Sequence, residues 1–289
     1  MTAPSKFVKR GVNPFTKQPL DLLNVAAFAT ERPSERGALL LTPGPPTGPR
    51  GTRLGGLPLL TAGAPWPSLD GEPLPFLAQF DLGALAHDSS SVSALSGTPG
   101  ILCVFLAASD PFVSHTGMVV VTFAPGGEPT RLAEPPDAGL VRQTVPLIAT
   151  PAMETEGSFQ AAGRGEPRHK LGGFADWIQV DARMNAYFDS AVPMSDPTAV
   201  GALRRASIDP SSLRGAQDML RVVRDIEACG IDAGLLGRAS ADFELLAQID
   251  SDDEGDLRWG DVGRLYLFAR ESDVRARRFD RVAAWTDSY

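Results

Sequence analysis

Phe76-Leu-Ala-Gln-Phe-Asp81 and Leu245-Leu-Ala-Gln-Ile-Asp250 are two versions of the same six-residue strand pattern, and they decide the fold. In each half of the chain this strand follows a Leu-Gly-Gly segment and precedes a second apolar strand that opens with glycine. The three motifs fall at 54–56, 76–81 and 100–105, and again at 171–173, 245–250 and 263–268. The repeated order predicts an internal duplication. We therefore expect an α+β, β-rich fold whose single large core is built from two diverged internal repeats.

Glycine and proline set the expected organisation of the rest of the chain. With 29 glycines and 25 prolines, turns should be frequent and long helices few. Residues 1–50 are predicted to form an irregular lead-in ending in a segment rich in proline and glycine, residues 51–150 the first repeat, and residues 151–289 the second. Further strands are expected at 101–106, 118–123, 140–148, 243–249, 265–268 and 282–286, with Pro146 marking an edge or a bend. A helix is expected over 209–230, where apolar residues recur at helical spacing before a terminating glycine.

The composition excludes several classes of function. The chain has 43% hydrophobic residues, 21% charged residues and a net charge of −8. A nucleic-acid ligand is not expected, because phosphate binding requires concentrated lysine and arginine. No apolar run approaches the ~18 residues that span a bilayer, and no secretory leader is visible, so we expect a cytoplasmic protein without membrane contact. Cys103 lies in an apolar run and is predicted to be a buried free thiol. No cofactor is expected.

Asp81 and Asp250 occupy equivalent places in the two repeats. Two carboxylates related by pseudo-symmetry could share a proton and act as an acid and a base, which would make the protein a hydrolase with a cleft between the repeats. The favoured interpretation is that each aspartate ends its strand by accepting hydrogen bonds from turn amides. Gln79 and Gln248 precede them by two residues. We expect these two side chains to be buried amides rather than the lining of a shared cleft.

Residues 250–261 form an acidic loop between two predicted strands, and we call this segment the acidic loop throughout. Oxygen-bearing side chains at Asp250, Asp252, Glu254 and Asp261 follow the spacing of a calcium-binding loop. The last ligand is aspartate rather than glutamate, and strands flank the loop instead of helices. An exposed, solvated hairpin loop is therefore favoured over a metal site. Its charge makes it the candidate surface for a basic protein partner, and the residues proposed for this contact are Asp252, Asp253, Glu254, Trp259 and Asp261.

Other candidate binding residues lie outside the acidic loop. Trp66 lies between prolines, a setting used both for ligand platforms and for plugging the open end of a sheet, and the plug is favoured. His169 and Lys170 precede the second Gly-Gly turn. No catalytic constellation of serine, cysteine and histidine and no phosphate-binding loop is visible in the sequence.

The joint order of the motifs resembles the YwqG-like family of bacterial proteins of unknown function. The matching segments are Gly55-Gly-Leu-Pro58, Pro73-Leu-Pro-Phe-Leu-Ala-Gln-Phe-Asp-Leu82, His169-Lys-Leu-Gly-Gly173, Leu245-Leu-Ala-Gln248 and Trp259-Gly-Asp-Val-Gly-Arg-Leu-Tyr266. The resemblance covers roughly residues 50–289 and implies an α+β, duplicated fold without established catalytic residues. It also implies an association with bacterial polymorphic-toxin genes. The sequence therefore favours a non-catalytic protein-binding module, with an immunity-type role against a toxin as the specific hypothesis and the carboxylate-pair hydrolase as the alternative.

Overall fold

The computed structural model divides the chain into two compact units. One contains residues 1–32 and 181–243, and the other contains residues 33–180 and 244–289. The residues that the structure describes are 5–13, 16–23, 34–85, 95, 99–106, 119–155, 168–177, 197–209, 216–236 and 242–288. The expected halves 51–150 and 151–289 therefore do not coincide with the two units.

Most of the regular structure is β-strand. The described strands are β1 Val8–Val12, β2 Pro19–Leu23, β3 Glu35–Pro43, β4 Arg53–Leu54, β5 Leu59–Thr61, β6 Ser68–Leu69, β7 Glu72–Pro73, β8 Phe76–Asp81, β9 Gly100–Leu106, β10 Val119–Pro125, β11 Thr130–Leu132, β12 Val145–Thr155, β13 His169–Gly172, β14 Phe243–Asp250, β15 Arg264–Arg270 and β16 Ala283–Asp287. The α-helices are α1 Leu82–Leu85, α2 Pro197–Arg205, α3 Ala216–Ala228 and α4 Glu271–Arg275, and short 3-10 helices cover Ala138–Leu140 and Phe279–Arg281. The predicted hairpin at β14 and β15, the strands β9, β10 and β16, and the part of the predicted helix at α3 are confirmed.

A ten-stranded sheet dominates the larger unit. Its strand order is β10-β9-β8-β4-β12-β3-β13-β14-β15-β16. Neighbours from β10 to β14 pair antiparallel, as do β15 and β16. Strands β8, β9 and β15 are rich in leucine and aromatic residues, and every residue of β8 and β9 is buried. The β-rich class expected from the sequence is therefore correct.

The centre of the sheet is a long antiparallel pair made by β3 and β12. Leu41 pairs with Ala149, and Thr42 pairs with Ile148. The prediction that residues 1–50 are irregular is wrong, because β3 belongs to this segment and its partners lie far away in the sequence. The edge or bend expected at Pro146 coincides with a change of partner along β12. Proline is accommodated because β12 pairs with β4 only at Val145 and Pro146 and with β3 from Leu147 onward, so the missing N–H falls where the strand changes partner.

Apolar side chains pack on both faces of this sheet. The larger cluster includes Leu39, Leu77, Leu102 and Leu267, each with no measurable exposure. A second cluster contains Phe76 and lies against β5 and β9. Each fully buried leucine or phenylalanine stabilises the fold by about 1.5–3 kcal/mol relative to exposure. The core therefore holds the strands that carry the polar residues described below in fixed register.

The smaller unit contains the hairpin of β1 and β2 and the helices α2 and α3. Helix α3 buries one apolar stripe, which includes Met219, Val222, Val223 and Ile226. The helix ends before Gly230, whose φ of 72° suits a helix terminus. Residues 210–215 of the predicted helix lie outside the described residues. Among the described helices, none is both long and apolar enough to cross a membrane.

Candidate functional site

Gln248 is the centre of a buried polar cluster in the larger unit. Its side chain has no exposure. Its Oε1 accepts the backbone N–H of Asp176 at 3.0 Å, and its Nε2 donates to the carbonyl of Arg168 at 3.1 Å and to Asp250 Oδ1 at 2.9 Å. We call this group the Gln248 cluster; its members are Glu154, Arg168, His169, Lys170, Asp176, Gln248, Asp250, Asp252, Arg264 and Tyr266. The expectation of a buried structural amide is correct for Gln248.

Asp250 and Arg264 form an ion pair inside the Gln248 cluster. Arg264 Nε donates to Asp250 Oδ2 at 3.0 Å, and both side chains are less than a tenth exposed. Arg264 also donates to the carbonyl of Asp176 at 2.6 Å. Burial raises the pKa of the Asp250 carboxyl, although the charge of Arg264 opposes this shift. The carboxylate that sequence reasoning offered as half of a catalytic pair is thus engaged with an arginine that the sequence had not singled out.

Lys170 is a second buried charge of this cluster. Its Nζ lies 3.0 Å from Glu154 Oε2 and 3.0 Å from Asp176 Oδ1, and its side chain has no exposure. Arg168 lies 3.0 Å from the other oxygen of Glu154. Two cations thus face two carboxylates, and the group is neutral overall. A buried charge requires such partners, because the free energy of leaving one without them is several kcal/mol.

His169 connects the Gln248 cluster to the acidic loop. Its Nδ1 accepts the backbone N–H of Asp250 at 3.2 Å, and its Nε2 lies 2.8 Å from Asp252 Oδ2. This hydrogen bond is the largest cause that lowers the pKa of the Asp252 carboxyl, and the backbone N–H groups of Gly255 and Glu254 act in the same direction while burial opposes them. With Nδ1 accepting, Nε2 is the nitrogen that carries a proton and donates. His169 therefore fixes the start of the loop.

The acidic loop is exposed at its tip and buried at its base. Asp252 and Trp259 are 5% and 3% exposed, whereas the side chains of Asp253 and Asp256 are 90% and 88% exposed. Glu254 and Asp261 are exposed as well. Trp259 packs in the main core, so it does not present a surface anchor. Val262, which follows the last residue of the loop, has an apolar side chain that is 58% exposed.

The proposed calcium ligands are not gathered around a common centre. Asp250 is paired with Arg264, and Asp252 is paired with His169 and accepts N–H groups of its own loop. Among the described residues there is no group of three or more histidine, cysteine or carboxylate side chains that could hold a metal ion. The observed contacts are those of a structural turn.

Gln79 is the centre of a second buried cluster. Its Oε1 accepts the N–H of Leu59 at 2.9 Å, and its Nε2 donates to the carbonyl of Gly51 at 3.1 Å. Arg53 donates to the same Oε1 at 3.1 Å, and its other acceptors are the carbonyl oxygens of Pro49, Gly51 and Leu57. We call Thr52, Arg53, Gln79, Asp81 and Cys103 the Gln79 cluster. Burial lowers the pKa of Arg53, whose acceptors here are neutral oxygens.

Cys103 lies beside Gln79 and is a free, buried thiol, as expected. Its Sγ lies 3.6 Å from the carbonyl oxygen of Leu59. Burial raises the pKa of this thiol to about 12, although the nearby charge of Arg53 opposes the shift. A thiol with so high a pKa carries almost no thiolate at neutral pH, so it is a packing residue rather than a nucleophile.

Asp81 ends β8 in the way that the favoured interpretation describes. Its Oδ1 accepts the N–H groups of Gly83 and Ala84 at 3.0 and 3.1 Å, and its own N–H donates to Thr52 Oγ1 at 3.1 Å. In the sheet, four strands separate β8 from β14, which carries Asp250. At about 4.8 Å per strand spacing, the two carboxyl groups lie on well-separated strands.

A small pocket opens beside Asp81. It has a volume of about 240 Å³, and its lining residues are Thr47, Arg50, Gly51, Thr52, Asp81, Ala84, Leu85, Leu147, Ile148 and Ala149. Arg50 Nε lies 3.5 Å from Asp81 Oδ2, and half of the Arg50 side chain is exposed. The pocket therefore combines one carboxylate, one guanidinium and an aliphatic wall.

Trp66 lies apart from both polar clusters. Its Nε1 donates to the carbonyl of Leu74 at 2.9 Å, and its ring packs edge-on against Phe105 at 5.5 Å. It is half-buried and packs against the second core cluster.

Several members of the two clusters were not singled out by the sequence. Glu154, Asp176 and Arg264 come from three separate elements, and no local pattern connects them. Arg53 could have been found, because Arg53 and Lys170 both immediately precede a Leu-Gly-Gly segment. Each pairs across the sheet with the glutamine of its cluster.

The larger unit thus has a wide sheet with a buried glutamine-centred polar cluster on each side of its central strand pair. Residues 52–288 match the model of the family described as a domain of unknown function, DUF1963, and the chain belongs to that family. No curated protein matches the chain.

Proposed function

We propose that this protein is a non-catalytic protein-binding module that contacts a basic partner through the tip of the acidic loop. The observation that carries the proposal is the contrast between the buried charges and the loop. The ionised groups of the Gln248 cluster are buried and paired with one another, whereas Asp253, Glu254, Asp256 and Asp261 are exposed. Asp253 lies 3.0 Å from Arg258 and Asp256 lies 3.7 Å from Arg142, but ion pairs in solvent are weak and leave these carboxylates open to the cations of a partner. Exposed charges of one sign attract an oppositely charged partner and raise its association rate.

An immunity-type role is the specific form of this proposal. It rests on the resemblance to YwqG-like proteins and on their association with bacterial toxin genes. An immunity protein must bind its toxin quickly and tightly, and a fixed acidic surface on a rigid sheet suits a basic toxin surface. The net charge of −8 acts in the same direction.

We also infer that the larger unit arose by duplication, and the hydrogen bonds of the two clusters support this inference. Gln79 and Gln248 each accept a backbone N–H at Oε1 and donate to a backbone carbonyl at Nε2. Cys103 donates to the carbonyl of Leu59 as Tyr266 donates to that of Asp176. In each cluster the glutamine and this donor therefore bind the backbone of the same residue, which is Leu59 in one cluster and Asp176 in the other.

The sheet order supports the same inference. Read from its centre, the order β4-β8-β9-β10 on one side corresponds to β13-β14-β15-β16 on the other. The register of the central pair is also symmetric. A two-fold rotation that exchanges β3 and β12 moves the paired residues Leu41 and Ala149 onto another observed pair, Leu147 and Pro43, and exchanges Thr42 with its own partner Ile148. A two-fold axis through Thr42–Ile148 would produce this register. A crystal structure tests the inference: residues 76–81 should superpose on 245–250 by a rotation of about 180° about that axis, and a different rotation would contradict it.

The hydrolase alternative is less well supported. It requires the carboxyl groups of Asp81 and Asp250 to share a proton or a water molecule, which requires a separation of about 10 Å or less. Four intervening strands and the ion pair of Asp250 with Arg264 argue against that arrangement.

Two triple variants with the same change of charge test the binding proposal. The loop variant carries Asp253→Asn, Glu254→Gln and Asp256→Asn. The control variant carries Asp70→Asn, Glu72→Gln and Glu128→Gln, which are exposed elsewhere on the larger unit. Asp252 is left intact because it is buried against His169.

The measurement is affinity capture followed by stopped-flow association with the captured protein after purification. We expect a basic protein that binds the wild type and the control variant, with an association rate that falls as salt is added and falls at least tenfold in the loop variant. Equal rates and equal salt dependence for all three proteins would show that the acidic loop takes no part in binding.

A further inference from the structure

The pocket beside Asp81 differs from the corresponding place in the Gln248 cluster. There, Asp250 Oδ2 accepts a hydrogen bond from Arg264 Nε at 3.0 Å. Arg264 follows Gly263, and in the duplication proposed above the residue that follows Gly100 is Ile101. Ile101 pairs with Asp81 in the sheet and is buried in the apolar cluster. The first half thus has the carboxylate but an aliphatic residue where the second half has its guanidinium.

The Asp81 carboxylate keeps one oxygen directed towards this pocket. Oδ1 is taken by the N–H groups that begin α1, whereas Oδ2 faces Arg50 at 3.5 Å. A pair with a half-exposed arginine at this distance is weak, because water and salt compete with it. A guanidinium held deeper in the pocket would therefore replace Arg50 at little cost.

The pocket walls define the rest of the ligand. Leu85 and Leu147 are buried, and Ile148 is 41% exposed at the mouth. The volume of about 240 Å³ is below the ~300–1,000 Å³ of drug-sized sites, so it suits a single side-chain-sized group.

We propose that this pocket is a binding site for a guanidinium group carried on a short aliphatic stem, with Asp81 Oδ2 accepting its N–H groups and Leu85, Leu147 and Ile148 covering the stem. The bond to Asp81 reproduces the internal bond between Asp250 and Arg264. This site goes beyond the proposed function, since it lies at a different place from the acidic loop. Five antiparallel pairings connect β8 to β14, so the strands run in opposite directions and Asp81 and the acidic loop lie at opposite strand ends.

Titration of the full chain with butylguanidinium tests the proposal, with butyrate as the probe of opposite charge. Binding is followed by amide chemical shifts of residues 81–85 and 147–149. We expect a dissociation constant of about 1–10 mM for butylguanidinium, the range open to so small a ligand. Asp81→Asn should weaken binding at least tenfold, since the amide keeps the Oδ1 acceptor for Gly83 and Ala84 but loses the charge.

Arg50→Met is the decisive variant, because the sign of its effect separates two kinds of site. If the ligand is a cation that displaces Arg50, this variant binds butylguanidinium more tightly than the wild type. If the pocket is an anion site, the wild type binds butyrate and Arg50→Met abolishes that binding, which would overturn the proposal. Asp70→Asn, which removes an exposed carboxylate outside the pocket, should leave binding unchanged.

Two further outcomes also decide the question. The proposal would be overturned if the wild type showed no binding at a butylguanidinium concentration of roughly ten times the expected dissociation constant. Should Asp81→Asn fail to fold, the affinity change in Arg50→Met decides alone. The assay needs no protein partner, so its failure leaves the proposed function of the acidic loop to its own test.

Discussion

The ammonium group of Lys170 lies 3.0 Å from Glu154 Oε2, and the lysine side chain is fully buried. The same ammonium also contacts Asp176, so one cation serves two carboxylates. The amide group of Gln248 contacts the second of these carboxylates at 3.1 Å. This geometry makes the lysine a structural charge whose removal affects a whole network.

Replacing this cation is expected to destabilise the fold strongly. Lys170→Met removes the charge while keeping an unbranched side chain, and it leaves Glu154 and Asp176 with reduced compensation. We expect the free energy of unfolding to fall by about 3–5 kcal/mol, measured by urea denaturation. The control is Arg168→Met, which removes a quarter-exposed cation from the same network and should have a clearly smaller effect. Equal losses for both variants would contradict a special role for Lys170.

The second glycine of each Gly-Gly turn should be intolerant of a side chain for two reasons, its backbone conformation and the crowding around it. Gly56 and Gly173 both have a φ of 71°, and a Cβ at either would lie 2.4 Å from Thr144 Oγ1 or 2.3 Å from Glu154 Oε2. Gly56→Ala and Gly173→Ala should each lower the free energy of unfolding by more than the ~1–2 kcal/mol of the backbone conformation alone.

Gly63→Ala separates the two causes in that experiment. Gly63 has a φ of 84°, but a Cβ there would meet no atom within 4 Å, so this variant measures the conformational term. Thermal and urea denaturation of all three variants give the comparison. If Gly63→Ala is as destabilised as Gly173→Ala, crowding by Glu154 contributes nothing.

Because His169 and Asp252 are hydrogen-bonded, we expect the free energy of unfolding to depend on pH in the acidic range. The pKa of the Asp252 carboxyl is lowered in the folded protein, chiefly by this bond. Its contribution is therefore complete above the unfolded pKa of about 4 and is lost as the pH falls through the lower folded value. Asp252→Asn should lower the free energy of unfolding by about 1–3 kcal/mol at pH 6.

The difference between wild type and Asp252→Asn should shrink as the pH falls below about 4, because the carboxylate of the unfolded wild-type chain is then protonated while that of the folded protein still holds its charge. Urea denaturation between pH 6 and about pH 3 measures this. Asp253→Asn is the matched control, since its carboxyl is 90% exposed and the change should stay within about 0.5 kcal/mol. A difference that is independent of pH would show that the bond to His169 does not depend on the charge of Asp252.

The two cysteines should differ sharply in reactivity. Burial raises the pKa of Cys103 to about 12, and Cys229 is exposed. At pH 8 a thiol reagent should label Cys229 at once and Cys103 only when the protein unfolds. Cys229→Ser isolates the buried thiol: rapid labelling of that variant without denaturant would contradict the burial of Cys103.

The sequence predicted where strands lie along the chain better than it predicted which strands pair with one another in the sheet. The strands at β8, β9, β14 and β15 were identified because each is an apolar run bounded by turn residues. The central strand β3 was missed, because Ala38, Leu39 and Leu41 obtain their partners from β12 and β13, which local sequence cannot indicate. Long-range pairing decides which strand lies in the middle.

Only those residues of the candidate site that belong to a repeated motif could be predicted from the sequence. Gln79 and Gln248 were recognised as buried amides, since a repeated polar residue inside an apolar strand requires internal partners. Trp259 was assigned to the surface because it follows acidic residues, although its ring is in the core. Glu154 and Asp176 became visible only when the fold brought them to Lys170. Charge pairs of this kind are formed by three-dimensional neighbours and leave no spacing pattern.

The position of β3 in the centre of the sheet also has a consequence during synthesis on the ribosome. Leu41 leaves the ribosome long before Ala149, its partner in β12, has been translated. At about 5–20 residues per second, the delay is of the order of 10 s. During that interval the apolar side chains of β3 have no strand on either side. The nascent chain therefore offers a binding segment to cotranslational chaperones, and its folding yield should depend on them more than on the stability of the finished sheet.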